Sequence, residues 1–304
     1  MKLIFKLIII TAITLALFYC WHNPEIRNSF TSFERLSLLR IGICYLLFYA
    51  LNAFALLILA RKSSKEIKFF QMLGISQYSG LIGYTLPFRI ANLGVRAIYL
   101  KKRFNISYGE TIGGGLLVTL MGLIISALTA LAFSVNYIRD IVDTRYWLAI
   151  GISVLLAITL TCLYKLKNSI DGYLSTRFSS FESLKRGVTQ LTTTDVITLI
   201  LITSITFLVT GFINLALING VGMTAPFSLC LLLAAVSNIS FLIALAPANL
   251  GTKELLYIGI GALYGLSTEG IIAFLIIDRL VQIAFLSISS AIFYFVESPS
   301  GHLK

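Results

Sequence analysis

The sequence predicts an all-α polytopic integral membrane protein with about six full spans and two re-entrant hairpins, arranged as an inverted repeat. Hydrophobic residues are 58% of the chain and charged residues 12%, with mean hydropathy +0.91, so a water-soluble domain could not cover its apolar surface. Apolar runs of about 20 residues, the length that crosses a bilayer, recur along the chain. The motif Ala-Asn-Leu-Gly occurs twice, at 91–94 and 248–251, and interrupts a hydrophobic run each time.

Six stretches are long and apolar enough to be full spans. Lys2 and Lys6 lie at the start of the first predicted span and are followed by an apolar run. We interpret this segment as an uncleaved span because no small-residue cleavage site follows it. Between the fourth and fifth spans lies a polar stretch, 165–195, expected to be a loop with some amphipathic helix. The predicted spans are Met1–Trp21, Leu36–Ala60, Ser107–Val135, Tyr146–Tyr164, Val196–Ile218 and Ser267–Val296.

Two further apolar stretches carry the repeated motif and are interrupted. Ile67–Leu86 ends at Pro87, and the next apolar piece, Ile90–Leu100, has about ten residues, half of what a span needs. Pro226–Ala246 and Leu255–Leu266 repeat this layout. We predict a re-entrant hairpin at each place, which requires cover by protein or a water-filled cavity because its backbone is irregular at membrane depth.

Basic residues are distributed unequally between the two sides that these spans define. The larger group is Lys2, Lys6, Arg61, Lys62, Lys65, Lys68, Lys101, Lys102, Arg103, Lys165, Lys167, Arg177, Lys185, Arg186 and Lys304, and the smaller is Arg27, Arg35, Arg139 and Arg145. The positive-inside rule then predicts that both termini are cytoplasmic in a plasma (cell inner) membrane. The two hairpins enter from opposite sides. Within one transmembrane domain, 1–304, the repeats at about 61–135 and 219–296 are therefore inverted, as is typical of secondary transporters.

Charges within apolar segments mark the candidate binding site, because a charge at the centre of a spanning helix costs roughly 2.5–3.5 kcal/mol. A cation follows each motif copy, Arg96 after the first and Lys253 after the second. Helix N-termini bind anions through free N–H groups, so this pattern favours an anionic, phosphate-bearing headgroup. The predicted substrate-binding residues are Arg89, Asn92, Gly94, Arg96, Asn249, Gly251, Lys253, Glu254, Asp278 and Arg279.

Two interpretations of these residues stay open. One Ala-Asn-Leu-Gly copy alone would be an ordinary turn, since Asn and Gly tolerate positive φ. Asp278 or Glu254 could neutralise Arg279 or Lys253 and hold helices together, instead of hydrating a cavity or coupling to protons.

Other features have simpler interpretations. Glu110 and Glu269 are expected at helix N-termini, Glu110 in a capping box with Ser107. Gly113–Gly115 with Gly122 indicates a helix-packing face.

Composition argues against several classes of function. Four cysteines inside or at the edge of apolar runs and two histidines indicate neither a disulfide framework nor a metal site, and no cofactor is expected. No catalytic constellation is recognisable, so we expect a protein that is not an enzyme. The net charge of +11 lies in clusters beside apolar segments, which favours membrane headgroups over nucleic acid as partners.

The stretch Pro87–Ala97, followed by Lys101–Arg103 and Ile106-Ser107, resembles the flippase-like transmembrane family typified by the membrane region of lysylphosphatidylglycerol synthase. Ala246–Glu254 is similar to the family's Pro-Gly-Gly-Leu-Gly-x-x-Glu segment, and Asp278-Arg279-Leu280 falls where the family often has Tyr-Arg-Leu. The long helix departs from the pattern, with Val118, Thr119 and Gly122 near the positions of a family Glu-Arg and Asp, and the acidic residue of the first hairpin is missing.

The resemblance implies a membrane protein that moves, or helps to move, a lipid between leaflets, and it implies no lysyl transfer because it concerns the membrane part alone. We therefore expect binding and translocation of an anionic phospholipid or polyprenyl-phosphate-linked lipid. The alternative is a non-transporting membrane partner of a cell-envelope glycosyl- or aminoacyl-transferase. Envelope-biosynthesis enzymes are candidate partners in either case.

Overall fold

The computed structural model describes residues 22, 24–31, 33–85, 90–137, 179–243 and 251–297. Within these ranges the chain is helical, with no strand. The helices are α1 Pro24–Thr31, α2 Arg35–Arg61, α3 Phe69–Thr85, α4 Ile90–Phe104, α5 Tyr108–Tyr137, α6 Ser179–Thr189, α7 Thr193–Gly220, α8 Phe227–Ile243, α9 Thr252–Leu263 and α10 Thr268–Glu297.

Four of these helices, α2, α5, α7 and α10, are long and apolar enough to cross a membrane. They coincide with four of the predicted spans. The other two predicted spans, Met1–Trp21 and Tyr146–Tyr164, lie outside the described residues. The chain is therefore a multi-pass membrane protein.

The two predicted hairpins contain helices that are shorter than a span. α3 has 17 residues and α4 has 15, and the two pack against each other; α8 has 17 and α9 has 12, and they do the same. α9, whose two ends are both described, falls well short of the about 20 residues that cross a bilayer. α4 extends beyond the predicted Ile90–Leu100 because its last turn carries Lys101–Arg103, cations that suit the negative end of a helix.

α2 and α7 pack against each other in opposite directions. At one end, the ring of Phe33, just before α2, lies so close to Gly220 at the end of α7 that a Cβ would not fit there. At the other end, Nζ of Lys62, just after α2, lies 2.5 Å from Oδ2 of Asp195 in the first turn of α7. The α2–α3 and α7–α8 loops therefore lie at opposite ends of the bundle.

The packing partners of the helices match between the two halves of the chain. α3 packs against α2, α4 and α10, while α8 packs against α7, α9 and α5. α1 packs against α10, and α6 packs against α5. When α1 is exchanged with α6, α2 with α7, and so on to α5 with α10, the helix pairs that pack together remain the same.

The main core lies where α2, α7, α8, α9 and α10 meet. Its fully buried members include Ile41, Leu217, Leu229, Phe274 and Leu286. The predicted glycine packing face of α5 is confirmed at three positions. Gly114 lies against Leu59 of α2, Gly115 against Leu93 of α4 and Gly122 against Thr203 of α7.

Basic side chains gather at one end of the bundle. This end contains the α2–α3 loop, the end of α4, the start of α5 and the end of α6, joined by a 2.9 Å hydrogen bond from Oγ of Ser63 to Oε2 of Glu110. Ser107 Oγ accepts from the Glu110 N–H as predicted, but the Glu110 carboxylate contacts Ser63 instead of completing the capping box. The basic residues of this end are Arg61, Lys62, Lys65, Lys68, Lys101, Lys102, Arg103 and Arg186.

Candidate functional site

A buried carboxylate joins three helices at the centre of the candidate site. Asp278 on α10 is 5% exposed. Its Oδ2 lies 2.8 Å from Nζ of Lys253 in the first turn of α9, and its Oδ1 accepts a 2.5 Å hydrogen bond from the hydroxyl of Tyr45 on α2. Tyr45 and Asp278 each follow the start of their helix by ten residues. That distance is about 15 Å along a helix.

A second ion pair lies beside the first. Glu254, the next residue of α9, accepts hydrogen bonds from Nε of Arg279 at 3.0 Å and from its Nη2. The other oxygen of Glu254 accepts a 2.7 Å hydrogen bond from the backbone N–H of Gly251. Gly251 has φ of 87°, so the chain enters α9 through a backbone conformation that favours glycine.

The four charged residues predicted around the second motif therefore form two adjacent ion pairs between α9 and α10. Lys253 pairs with Asp278, and Glu254 pairs with Arg279. The acids therefore neutralise the cations in this structure, and both pairs join α9 to α10. Charges removed from water must be compensated in this way, because an unpaired buried charge is strongly destabilising.

Aromatic residues of α2 complete this region, and the sequence did not single them out. The hydroxyl of Tyr49, one turn after Tyr45, accepts a 3.1 Å hydrogen bond from Nε2 of Gln282, one turn after Asp278. The Tyr49 ring stacks on Phe285 with 5.6 Å between centroids. The four-residue spacing of the tyrosines indicates a shared helix face, but the helix that this face meets is a tertiary feature.

Arg96 lies on α4 and contacts α3. Its Nε donates to Oγ of Ser79 at 2.8 Å, and its Nη2 to Oγ of Ser76 at 3.4 Å. Both serines are buried, and the sequence did not predict their role. The only local signal is their three-residue spacing, which puts them on one helix face. The Tyr49 hydroxyl lies within electrostatic range of both Arg96 and Asp278, so α2 connects the regions around the two hairpins.

The two copies of Ala-Asn-Leu-Gly differ in structure. Residues 91–94 lie in the first turns of α4, so the prediction of a turn is wrong for this copy. Arg96 is consequently the seventh residue of α4, beyond the first turn. Leu93 packs against Gly115 of α5, and such a tertiary contact can hold a sequence helical that would also suit a turn. Asn92 has a buried Oδ1 with no hydrogen-bond partner, and Gly94 has open space where a Cβ would lie.

The structure does not describe two of the predicted site residues, one of them a cation and the other part of the second copy of the motif. Arg89 and Asn249 lie outside the described residues. Within the described ranges, no three His, Cys, Asp or Glu side chains lie close enough to share a metal ion.

A cleft connects Arg96 with the basic end of the bundle. It lies between α2, α3, α4, α5 and α6, and its cavity volume is about 20 Å³, which is room for about one water molecule. Its walls are largely apolar, with Leu56 and Leu100 among them. Its polar lining consists of Ser63, Arg96, Glu110, Thr111 and Gln190.

This architecture, with four helices long and apolar enough to span and two pairs of shorter helices, defines a multi-pass membrane protein. The sequence profile described as Lysylphosphatidylglycerol synthase TM region matches residues 3–290. The chain belongs to this family, which confirms the resemblance seen in its two motif segments. Membership relates it to membrane proteins of lipid modification or flipping. Neither the curated proteins nor the solved structures contain a match to this chain.

Proposed function

We propose that this protein binds an anionic phospholipid or polyprenyl-phosphate-linked lipid and moves its headgroup across the membrane without covalent chemistry. The observation that carries the proposal is the buried ion pair between Lys253, in the first turn of the short helix α9, and Asp278 of the spanning helix α10. Transporters of inverted-repeat type bind their substrates near the midplane, where broken helices begin.

The energetics of the ion pairs support a functional role. A charged side chain at mid-depth costs roughly 2.5–3.5 kcal/mol on insertion scales. Apolar residues of similar volume are often as stabilising as a buried ion pair, or more so. Two adjacent pairs, Lys253–Asp278 and Glu254–Arg279, therefore favour a role in ligand handling over a role in stability.

Helix packing supports an inverted repeat, which we propose extends beyond the motif-bearing segments to Pro24–Tyr137 and Ser179–Glu297. The contacts of α1–α5 convert into those of α6–α10 when the halves are exchanged. The equivalent helices α2 and α7 run in opposite directions. A pseudo-two-fold axis that exchanges the two halves and reverses the direction of their helices lies in the membrane plane, as it does in inverted-repeat transporters.

The basic end of the bundle is, in this proposal, the cytoplasmic end in a plasma membrane, with both termini on that side. The cleft beside Arg96 opens there and places a guanidinium, which suits a phosphate, among apolar side chains. Arginine binds phosphate well because its donors match two phosphate oxygens at once. The cleft would then receive the headgroup on its way to the ion pairs.

Transport by the purified protein tests the proposal. The protein is reconstituted in phosphatidylcholine vesicles that contain fluorescent phosphatidylglycerol, and dithionite quenching measures lipid movement between leaflets. We expect Arg96→Gln to reduce movement to the protein-free rate. Lys253→Gln/Asp278→Asn should do the same, since it removes the cation without leaving a buried charge. Lys102→Gln, at an exposed position of α4, is the matched control and should transport normally.

The outcomes test the site assignment and the transport function separately. Wild-type rates in both test variants would contradict the site assignment. An inactive wild-type protein, with both phosphatidylglycerol and a labelled polyprenyl phosphate, would contradict transport. That result would leave the alternative of a non-transporting membrane partner of an envelope transferase.

A further inference from the structure

We propose that an anionic headgroup binds Lys253 by replacing Asp278, and that Asp278 takes up one proton in exchange. The inference rests on the proposed function and specifies how its site is coupled to protons. The step is a proton transfer in which an O–H bond of a solvent hydronium ion breaks, an O–H bond forms on a carboxylate oxygen of Asp278, and water is released.

Exposure within the ion pair determines which partner a headgroup can reach. The side chain of Lys253 is 16% exposed and that of Asp278 is 7% exposed. Lys253 lies in the first turn of α9, and its neighbours Gly251 and Leu255 are both exposed. Lys253 is therefore the partner that a headgroup contacts first, while Asp278 is held by Tyr45 of α2 and Lys253 of α9.

Charge balance then requires the proton. The Lys253–Asp278 pair is neutral as a unit. A phosphate that brings one negative charge therefore gives the cluster of lysine, aspartate and phosphate a net charge of minus one. A lone carboxylate among apolar side chains is unfavourable unless it is neutralised. After the exchange Asp278 would keep only the Tyr45 hydroxyl of its two partners. Uptake of one proton restores neutrality.

The surrounding titratable groups point to Asp278 as the acceptor. Lys253 and Tyr257 face it from α9, Tyr45 and Tyr49 from α2, and Arg279 adjoins it on α10. Glu254, the other carboxylate of the site, is 26% exposed. It also keeps Arg279 and the N–H of Gly251 when Lys253 changes partner. Its charge therefore stays compensated.

Binding of a short-chain anionic lipid tests the coupling. The purified full chain in detergent is titrated with dihexanoyl phosphatidylglycerol, whose phosphodiester keeps one charge near neutral pH. Because one proton enters with each lipid, we expect affinity to fall about tenfold for each unit rise in pH. A pH-sensitive dye in weakly buffered solution should report uptake of about one proton per lipid bound.

Two variants with matched chemistry locate the proton. Asp278→Asn keeps the shape of the side chain and releases Lys253, so it should bind the lipid at least as tightly, with no proton uptake and little pH dependence. Glu269→Gln removes a carboxylate from the first turn of the same helix as Asp278, away from the ion pairs, and should keep the wild-type pH dependence. Size-exclusion chromatography and helical circular dichroism establish that both variants are folded.

Each outcome decides between the inference and the function on which it rests. Lipid binding without proton uptake in the wild type, or undiminished uptake in Asp278→Asn, would overturn the coupling and leave the proposed lipid site intact. Absence of binding to both phosphatidylglycerol and a short polyprenyl phosphate would overturn the lipid site, and the coupling with it.

Discussion

The hydroxyl of Tyr45 on α2 and the carboxylate of Asp278 on α10 form a 2.5 Å hydrogen bond across 233 residues of sequence. Each group lies ten residues after the start of a helix that is long enough to span the membrane. The same carboxylate binds Lys253 of α9, so one acidic side chain connects two spans with the short helix that follows the second motif. The geometry of this contact leads to four predictions.

Tyr45→Phe should destabilise the protein by about 1.5–3 kcal/mol, because it removes a buried hydrogen bond to a charged group. Thermal unfolding in detergent measures the change as a lower Tm. Tyr78→Phe, at a tyrosine that is 46% exposed, is the control and should have little effect. Equal Tm values for the two variants would show that the Tyr45 hydroxyl does not stabilise the folded state.

The Lys253–Asp278 pair should give a strongly non-additive double-mutant cycle. Lys253→Met or Asp278→Leu alone leaves one buried charge without its partner and should cost about 3–5 kcal/mol. The double variant should recover most of that loss, since two apolar side chains replace the pair. Denaturant titration in mixed micelles measures all three free energies of unfolding.

Lys62→Met provides the comparison for this cycle. It breaks the more exposed Lys62–Asp195 pair, which should be worth no more than about 1 kcal/mol. Additive losses at Lys253 and Asp278 would contradict the interaction between them.

Gly251→Ala should destabilise the entrance to α9. Gly251 has φ of 87°, and an L-residue with a Cβ pays about 1–2 kcal/mol in a left-handed conformation. Gly259→Ala in the same helix is the matched control, because its Cβ would enter open space at an ordinary helical position. Alanine there should be neutral or stabilising. A Tm for Gly251→Ala at or above that of Gly259→Ala would contradict the strain.

The inverted repeat predicts opposite exposure of two equivalent loops. In a background with its four cysteines replaced, Glu66→Cys reports on the α2–α3 loop and Thr224→Cys on the α7–α8 loop, both at exposed positions. A membrane-impermeant maleimide on intact cells should label Thr224→Cys at once. It should label Glu66→Cys only after the cells are permeabilised. Labelling of both cysteines in intact cells would refute the arrangement.

Much of the fold was predictable because hydropathy and segment length are local properties. The predicted span Leu36–Ala60 corresponds to Arg35–Arg61, and Val196–Ile218 corresponds to Thr193–Gly220. The start of the helix at Tyr108 follows from its Ser107 cap. Each of these boundaries depends on residues within a few positions of the boundary itself.

The site was predictable only in part. Lys253, Glu254, Asp278 and Arg279 were recognisable as charges in apolar segments, and the structure brings all four together. The serines that bind Arg96 were not recognisable, because a serine in a spanning helix most often bonds to its own backbone, as Ser126 does here. The helical state of the first Ala-Asn-Leu-Gly copy was missed, since Asn and Gly suit a turn and a helix start alike.

By itself the sequence determined that the chain is a multi-pass membrane protein and where its short helices lie. These properties follow from the transfer of each segment between water and lipid, which depends on that segment's own residues. Only the tertiary structure decided that Lys253 pairs with Asp278, that Glu254 pairs with Arg279 and that Tyr45 completes the cluster. Those choices depend on the rotation and depth of helices that are far apart in sequence, and packing across the whole bundle sets both.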